Sequence, residues 1–122
     1  MTSSTRRMDD LLPLTTAVFH ILLSLADRER HGYGIMQEVE AMTRGQIRMG
    51  PGTLYGAIKR MLAADLIEES GERPDPDQDD ERRRYYRLTD LGQRVLGAEA
   101  RRLSVLVNVA QSKQIVDGRE AV

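Results

Sequence analysis

The chain has 122 residues, a formal net charge of −1 at pH 7 and no cysteine. This length suits one domain with a modest core, and the missing thiols exclude a disulfide scaffold and thiolate metal sites, as expected for a protein of the reducing cytoplasm. Because the chain as a whole is not basic, any binding to nucleic acid must come from local basic patches that acidic segments offset.

The N-terminal part of the chain predicts a flexible arm followed by a helix. Residues 1–10 are polar, and chain ends of this kind are often poorly ordered. The apolar run 11–25 is too short and too often interrupted to cross a bilayer, so no membrane partner is expected. Over residues 14–28 the apolar side chains recur at helical spacing and predict one buried face, formed by Leu14, Val18, Ile21, Leu22 and Leu25.

Two further helices with a short connector follow. After a charged connector at 27–30, a helix is predicted over 33–44, because Gly45 is a natural helix stop. The next helix is predicted over 50–65, because Pro51 suits a first turn, where a proline loses no helical hydrogen bond. This pair is consistent with a helix-turn-helix motif, in which the second helix reads DNA.

The helix predicted over 50–65 has two unlike faces. One is apolar at helical spacing and should point into the core, through Leu54, Ile58, Met61 and Leu62. The other combines small residues with a hydroxyl, a phenol and a cation, which are groups suited to a nucleic-acid groove. Taken alone, the pattern also fits an ordinary amphipathic helix with a solvated Lys-Arg pair. The candidate DNA-binding face consists of Gly52, Thr53, Tyr55 and Lys59.

After Asp65 the apolar residues no longer recur at helical spacing but at strand-like spacing, which predicts a β-hairpin. Residues 66–70 and 84–89 are short strand-like runs, the second enriched in tyrosine. Between them, residues 71–82 are polar with two prolines and are predicted to form a loop. Since a hairpin after a helix-turn-helix defines a winged helix, residues 11–89 are predicted to form a mainly α winged helix-turn-helix domain with a small β-hairpin.

Three consecutive arginines end the predicted loop. Arg82, Arg83 and Arg84 follow the acidic run 75–81 and would lie at the base of the wing, where guanidinium groups can contact phosphate. The alternative is that they pair with the adjacent acids. The sequence therefore predicts a second DNA contact on the wing, with an acidic tip that should bend away from the DNA backbone.

The C-terminal helix is predicted over 90–113, with Thr89 as its N-cap. Its second half is apolar around much of its circumference, so it should bury itself against a second copy of the chain or fold back on its own domain. The small core already has three helices to enclose, which favours a homodimer. Residues 114–122 would be a disordered tail, and the dimer interface would be formed by Leu103, Leu106, Val107 and Ala110.

No residue pattern indicates an enzyme, a metal site or a cofactor. The chain has no Gly-rich phosphate loop and no G-x-S-x-G motif, and no nucleophile–base pair stands out. His20 and His31 are too few and too separated to predict a metal site. The acidic run fails as a calcium loop, because Asp80 and Tyr86 stand where glycine and glutamate are needed.

Four motifs in order resemble one family. They are HGYGI at 31–35, GTLY at 52–55, RRYYRLT at 83–89 and the glycine at Gly92. Each motif is weak alone, but the ordered set resembles the PadR-like winged-helix transcriptional regulators of the short type, with one C-terminal helix. The resemblance covers about residues 14–110.

The resemblance implies a homodimer that binds a palindromic operator in double-stranded DNA and usually represses a nearby gene. It places the third helix in the major groove, with Tyr33 in support, and lays the wing along the backbone. Some relatives bind small aromatic or drug-like molecules between the C-terminal and first helices, which implies an effector at the dimer interface. The acidic wing favours one alternative, a winged-helix protein-interaction module without direct DNA binding. A further alternative is an effector sensor that does not contact DNA.

Overall fold

The computed structural model describes residues 11–75 and 78–116, without the side chains of residues 75 and 78–82. The mainly α architecture with a small antiparallel sheet confirms the predicted fold class. The predicted arm at 1–10 lies outside the described residues, as does the predicted tail from 117 onward. The described elements are α1 (Thr16–Ser24), β1 (Arg30–His31), α2 (Gly32–Met42), α3 (Pro51–Ala63), β2 (Ile67–Asp75), β3 (Gln78–Leu88) and α4 (Asp90–Ser112).

The core lies where the apolar faces of the four helices meet. Buried side chains recur at spacings of three or four residues along each helix, which is the spacing that keeps them on one face. Burying one such Leu or Ile side chain stabilises the fold by about 2 kcal/mol. The helical core residues include Ile21, Leu22, Ile35, Val39, Leu54, Ile58, Met61, Leu91, Val95 and Leu96.

α1 is shorter than predicted at both ends. The hydroxyl of Thr15 accepts a hydrogen bond from the backbone N–H of Val18 at 3.2 Å, so this threonine is the N-cap and not part of the helix. The helix ends at Ser24. Leu14 and Val18 were predicted to be core residues and are only partly buried, as is Leu62 on α3, because they lie at the edge of the core.

Most other helix ends agree with the sequence signals. α2 ends at Met42, two residues before the predicted end, because the left-handed turn begins at Arg44, whose φ is +53°. Gly45 continues this turn with a φ of +80°, and its N–H bonds to the carbonyl oxygen of Glu40 at 2.8 Å, as expected for a glycine at a helix stop. Pro51 is the first residue of α3. Thr89 caps α4 by accepting a hydrogen bond from the N–H of Gly92 at 2.9 Å. These three predictions are confirmed because each depends on local chemistry.

The three strands form one antiparallel sheet in the order β1-β3-β2. Arg30 lies opposite Tyr86 and His31 lies opposite Tyr85. The sequence predicted a charged connector at 27–30 and no strand there, because two residues are too few to show the alternation of a strand. The strand forms because the edge of β3 offers backbone groups that need partners.

The two long strands make a wing with little loop, so the predicted loop at 71–82 is wrong for most of its length. Arg73, for example, lies opposite Arg83 in the β2–β3 ladder. A register shift between Glu69 and Gly71, where Gly71 has a φ of +124°, marks a bulge that increases the local twist. The polar residues of β2 and β3 are extended because the backbone of each strand is hydrogen-bonded to that of the other. Amino-acid composition alone does not reveal this pairing.

The first turn of α4 is fixed against the segment that follows α3. The hydroxyl of Thr89 donates to the carbonyl oxygen of Asp65 at 2.5 Å, and the N–H of Thr89 donates to the carbonyl oxygen of Leu66 at 3.1 Å. Gly92 lies directly against that same Leu66 carbonyl, so closely that a Cβ atom at position 92 would overlap the oxygen. A glycine is therefore required where α4 meets the segment that follows α3.

We expect Gly92→Ala to destabilise the fold by about 2 kcal/mol or more, because the overlap involves backbone that cannot rotate away. Urea unfolding followed by circular dichroism measures this change. The control is Gly97→Ala on the same helix, where the new methyl group would meet only the flexible guanidinium of Arg101 at 3.4 Å. That control should be neutral or stabilising by up to about 1 kcal/mol. Equal stability of the two variants would contradict the close approach at Gly92.

Candidate nucleic-acid interface

α3 presents its predicted polar face to solvent. Thr53, Tyr55 and Lys59 are exposed, while the apolar side chains of the opposite face are buried. Gly52 lies in open space, with no neighbour within 4 Å of the position that a Cβ would take. The N-cap residue Gly50 provides no side-chain hydrogen bond to the first turn, so a ligand can reach the backbone N–H groups at this helix end.

Tyr55 is held by contact with the start of α2. Its phenol lies over Gly32, and a Cβ atom at that position would overlap the phenolic oxygen. Gly32 is buried, whereas Tyr55 is 47% exposed and Tyr33 is 44% exposed. The two tyrosines therefore extend the exposed polar surface of α3 onto the first turn of α2, and the small residue at position 32 is what allows Tyr55 to lie there.

The start of α2 is capped by a histidine. Nδ1 of His31 accepts a hydrogen bond from the backbone N–H of Gly34 at 3.0 Å, so in its neutral form the ring carries its proton on Nε2. The imidazole also packs edge-on against the ring of Tyr85 on β3, with ring centroids 5.1 Å apart. His31 is a structural residue that joins the wing to the helix-turn-helix.

An arginine on the wing completes this contact. The guanidinium of Arg73 lies 3.9 Å from the ring centroid of Tyr85, and its Nη1 atom is 2.6 Å from Oε1 of Glu29. Hydrogen bonds from Arg73 and then from Ser70 hold the pKa of the Glu29 carboxyl below its ordinary value. Sequence reasoning missed Arg73 because it placed this residue in a loop, and no local signal relates residues 29, 73 and 85.

The three wing arginines do not form a single cluster. Successive side chains of a strand point to opposite faces, and Arg83 is half-buried while Arg84 is exposed. Arg84 forms an ion pair with Glu69 at 3.5 Å, so part of the alternative pairing with acids is present. The side chain of Arg82 lies outside the described ones, and its contact with DNA stays a prediction.

The two halves of α4 differ in burial. Leu91, Val95 and Leu96 of the first half are buried in the core. In the second half, Leu106 is 51% exposed, and Val105, Val107 and Val109 are exposed beside it. The predicted interface residues Leu103 and Ala110 are partly buried within the chain. Among the residues that the structure describes, none covers the exposed part of this apolar face.

Neither a metal site nor a membrane span is found in the part of the chain that the structure describes. Over residues 11–75 and 78–116, no group of three or more His, Asp or Glu side chains is placed to hold a metal ion. No helix among the same residues is long and apolar enough to cross a membrane.

A helix-turn-helix followed by a β wing defines the winged-helix class of proteins, and this chain adds a long C-terminal helix. Residues 21–98 match the model of the transcriptional regulator PadR-like family. The chain belongs to this family, and the resemblance inferred from the ordered motifs is confirmed.

Two curated proteins are similar to this chain over about 70% of its length. The chain is 39% identical to the transcriptional regulator Rv3488 of Mycobacterium tuberculosis over 71% of its own length and 75% of that protein. It is 35% identical to an uncharacterized 37.1 kDa protein in transposon TN4556 of Streptomyces fradiae over 70% of its length. It spans only 22% of that larger protein, so the match there is to one part of a longer chain.

Solved structures share the fold. A PadR family transcription regulator from Clostridium difficile R20291 superimposes with a TM-score of 0.66 at 25% identity, covering 82% of this chain and 99% of that one. The Bacillus subtilis PadR in complex with operator DNA superimposes with a TM-score of 0.59 at 19% identity, covering 69% of this chain and 46% of that one. At 19% identity, the similarity to the Bacillus subtilis PadR is a similarity of fold alone.

Replacing Arg73 tests the ion pair with Glu29 that joins the wing to the helical part of the domain. We expect Arg73→Gln to raise the pKa of the Glu29 carboxyl towards its ordinary value of 4.5, because the Arg73 hydrogen bond is the main cause of its lowering. The stability advantage of the wild type over Arg73→Gln should be present above about pH 4.5 and be lost as the pH falls through the lowered pKa of Glu29. A nuclear magnetic resonance titration of the carboxyl measures the shift.

Arg28→Gln is the matched control, because Arg28 is an exposed arginine beside Glu29 that pairs with Asp27. It should leave the pKa of Glu29 unchanged. If Arg73→Gln also left that pKa unchanged, the wing would not be joined to the body through this ion pair.

Proposed function

We propose that this protein is a homodimeric transcriptional regulator that binds a palindromic operator in double-stranded DNA and represses a nearby gene. One observation carries the proposal: α3 has its apolar side buried in the core and its opposite side, with Thr53, Tyr55 and Lys59, free in solvent. Membership of a family of transcriptional regulators supports the regulatory role. The Bacillus subtilis PadR in complex with operator DNA, which has the same fold, supports DNA as the partner.

The exposed side of α3 carries groups that suit a DNA groove. Lys59 supplies a cation for phosphate or for the acceptor atoms of guanine, and the hydroxyls of Thr53 and Tyr55 can donate or accept hydrogen bonds. Gly52 would let the helix backbone approach closely, and the free N–H groups at this end favour phosphate. Tyr33, which follows the glycine that the Tyr55 phenol covers, would contact the DNA backbone next to the groove.

The wing would add contacts to phosphate. Arg84 is exposed, and its ion pair with Glu69 spans 3.5 Å at the surface, where such a pair contributes little to stability. The guanidinium of Arg84 can therefore leave the Glu69 carboxylate and bind a phosphate at a small cost in free energy. Arg82 is proposed to assist from the same strand, and the half-buried Arg83 from the opposite face of the wing.

The exposed apolar half of α4 would pair with its copy in a second chain. Twofold pairing would set the two α3 helices about 34 Å apart, which is one turn of DNA, so that both half-sites are read from one side. A small-molecule effector between α4 and α1 could release the operator by changing this geometry. A cytoplasmic location and the absence of enzymatic activity accord with such a regulator.

We expect Lys59→Ala to weaken operator binding and to reduce the slope of log K against log salt concentration by about one unit, because one phosphate contact is lost. Fluorescence anisotropy at several salt concentrations measures both quantities. The chain contains only one other lysine, Lys113, at the far end of α4. Lys113→Ala should leave affinity and slope as they are. Identical binding by the two variants would remove Lys59 from the interface.

We expect Leu106→Asp to convert the dimer to a monomer, because it would bury an unpaired charge in the apolar interface. Light scattering coupled to size-exclusion chromatography measures the mass in solution. The control is Ser104→Asp, an exposed position on the same helix, which should leave the dimer intact. A Leu106→Asp protein that stays dimeric would place the interface elsewhere.

The second candidate is a protein-interaction module that does not bind DNA, which the net charge of −1 favours. Selection of bound sequences from random DNA separates the two. Enrichment of a palindrome supports the repressor and its symmetry, whereas no enrichment favours the interaction module.

A further inference from the structure

A buried carboxylate lies at the boundary between the two halves of α4. Glu99 is only 2% exposed. The Nε and Nη2 atoms of Arg102 donate to its two oxygens at 2.6 and 3.1 Å. Its Oε2 atom also accepts a hydrogen bond from the backbone N–H of Leu14 at 3.0 Å. Nothing in the proposed reading of DNA uses this residue.

A charge at this place requires a reason. Burying a carboxylate is costly unless its oxygens are paired. The hydrogen bond from Arg102, with help from the N–H of Leu14, holds the pKa of Glu99 below its ordinary value although burial raises it. Glu99 therefore stays ionised at neutral pH, and an apolar residue would fill the same space without the burial cost. What the carboxylate adds is direction. The two-point pair with Arg102, on the same helix, holds the Glu99 side chain in one orientation, so that its Oε2 atom meets the N–H of Leu14 in a defined geometry, whereas apolar contacts would allow sliding.

The contact joins elements that are far apart in the sequence. Leu14 precedes the N-cap of α1, and Glu99 follows it by 85 residues. α1 packs on α3 as well as on α4, and its buried Ile21 and Leu22 belong to the same core as the apolar face of α3. The dimerisation half of α4 is thus connected to α3 through Glu99 and α1.

We propose that Glu99 is a positioning residue that sets the angle between the dimerisation half of α4 and the winged-helix domain, and hence the half-site spacing that the dimer accepts. The proposal rests on the dimer of the proposed function. The effect of Glu99 on half-site spacing also depends on DNA binding, whereas its effect on the arrangement of the two protomers does not. Removing the carboxylate should loosen the two α3 helices relative to each other while leaving the dimer intact.

The first experiment measures the distance between protomers without DNA. Because the chain has no cysteine, Ala63→Cys at the exposed C-terminal end of α3 gives each protomer one site for a nitroxide spin label. Pulsed electron paramagnetic resonance then reports the distribution of label distances. We expect a narrow distribution in the wild-type background and a clearly broader or shifted one with Glu99→Leu. Glu99→Gln, which keeps an acceptor for Leu14, should restore part of the narrow distribution.

The matched control removes an exposed carboxylate from the same helix. Asp90 pairs with Arg94 at 3.5 Å at the surface, so Asp90→Asn changes the net charge as Glu99→Gln does. It should leave the distribution narrow. Should Glu99→Leu fail to fold, Arg102→Gln tests the same ion pair from its exposed partner and should also broaden the distribution. A folded dimer whose distribution stays narrow without the Glu99–Arg102 pair would overturn the proposal.

The second experiment measures spacing on DNA. One base pair is inserted or removed between the half-sites of the operators found by random selection. The affinity of the wild type for these altered operators should fall about tenfold. Glu99→Leu should reduce this discrimination to about twofold while its affinity for an isolated half-site is kept, a pattern that general destabilisation would not produce. Unchanged discrimination would overturn the proposal. If Glu99→Leu changes the distance distribution but the wild type binds no DNA, the proposed function is refuted, whereas the role of Glu99 in dimer geometry stands.

Discussion

Apolar side chains on one side of α3 are buried against the other helices, and this burial holds the opposite side of the helix in solvent. Leu54, Ile58 and Met61 are almost completely inaccessible, so α3 cannot turn about its axis without exposing them, and each such exposure costs about 2 kcal/mol. The direction in which Lys59 points is therefore determined by the core. A surface built on a helix fixed in this way is more rigid than one built on a loop.

Contacts at the helix ends hold the remaining elements around α3. His31 caps α2 and contacts the wing, Thr89 caps α4 and bonds to the segment after α3, and Glu99 joins α4 to the start of α1. Each of these side chains satisfies backbone groups that would otherwise lack partners, and each links two elements. Their common effect is that the wing, α3 and α4 are joined to one another as one unit.

The wing shows how strand geometry changes the meaning of a charged sequence. Three consecutive arginines suggest one basic patch, but alternation along β3 separates Arg83 from Arg84, and Glu69 partly neutralises the latter. Arg73 is used for attachment to the body through Glu29. On the wing, Arg73 is therefore committed to the contact with Glu29, while the exposed Arg84 is held only by a surface ion pair.

The sequence by itself determined the winged-helix class, the family and the three longer helices, because apolar periodicity and the stop and cap signals at Gly45, Pro51 and Thr89 act over a few residues. The exposed face of α3 could also be predicted, since it follows from the same periodicity. Only the tertiary structure decided the two-residue strand β1, the length of the wing, the close approach at Gly92 and the burial of Glu99. Each of these depends on atoms that are brought together from distant parts of the chain, and such contacts leave no pattern in neighbouring residues.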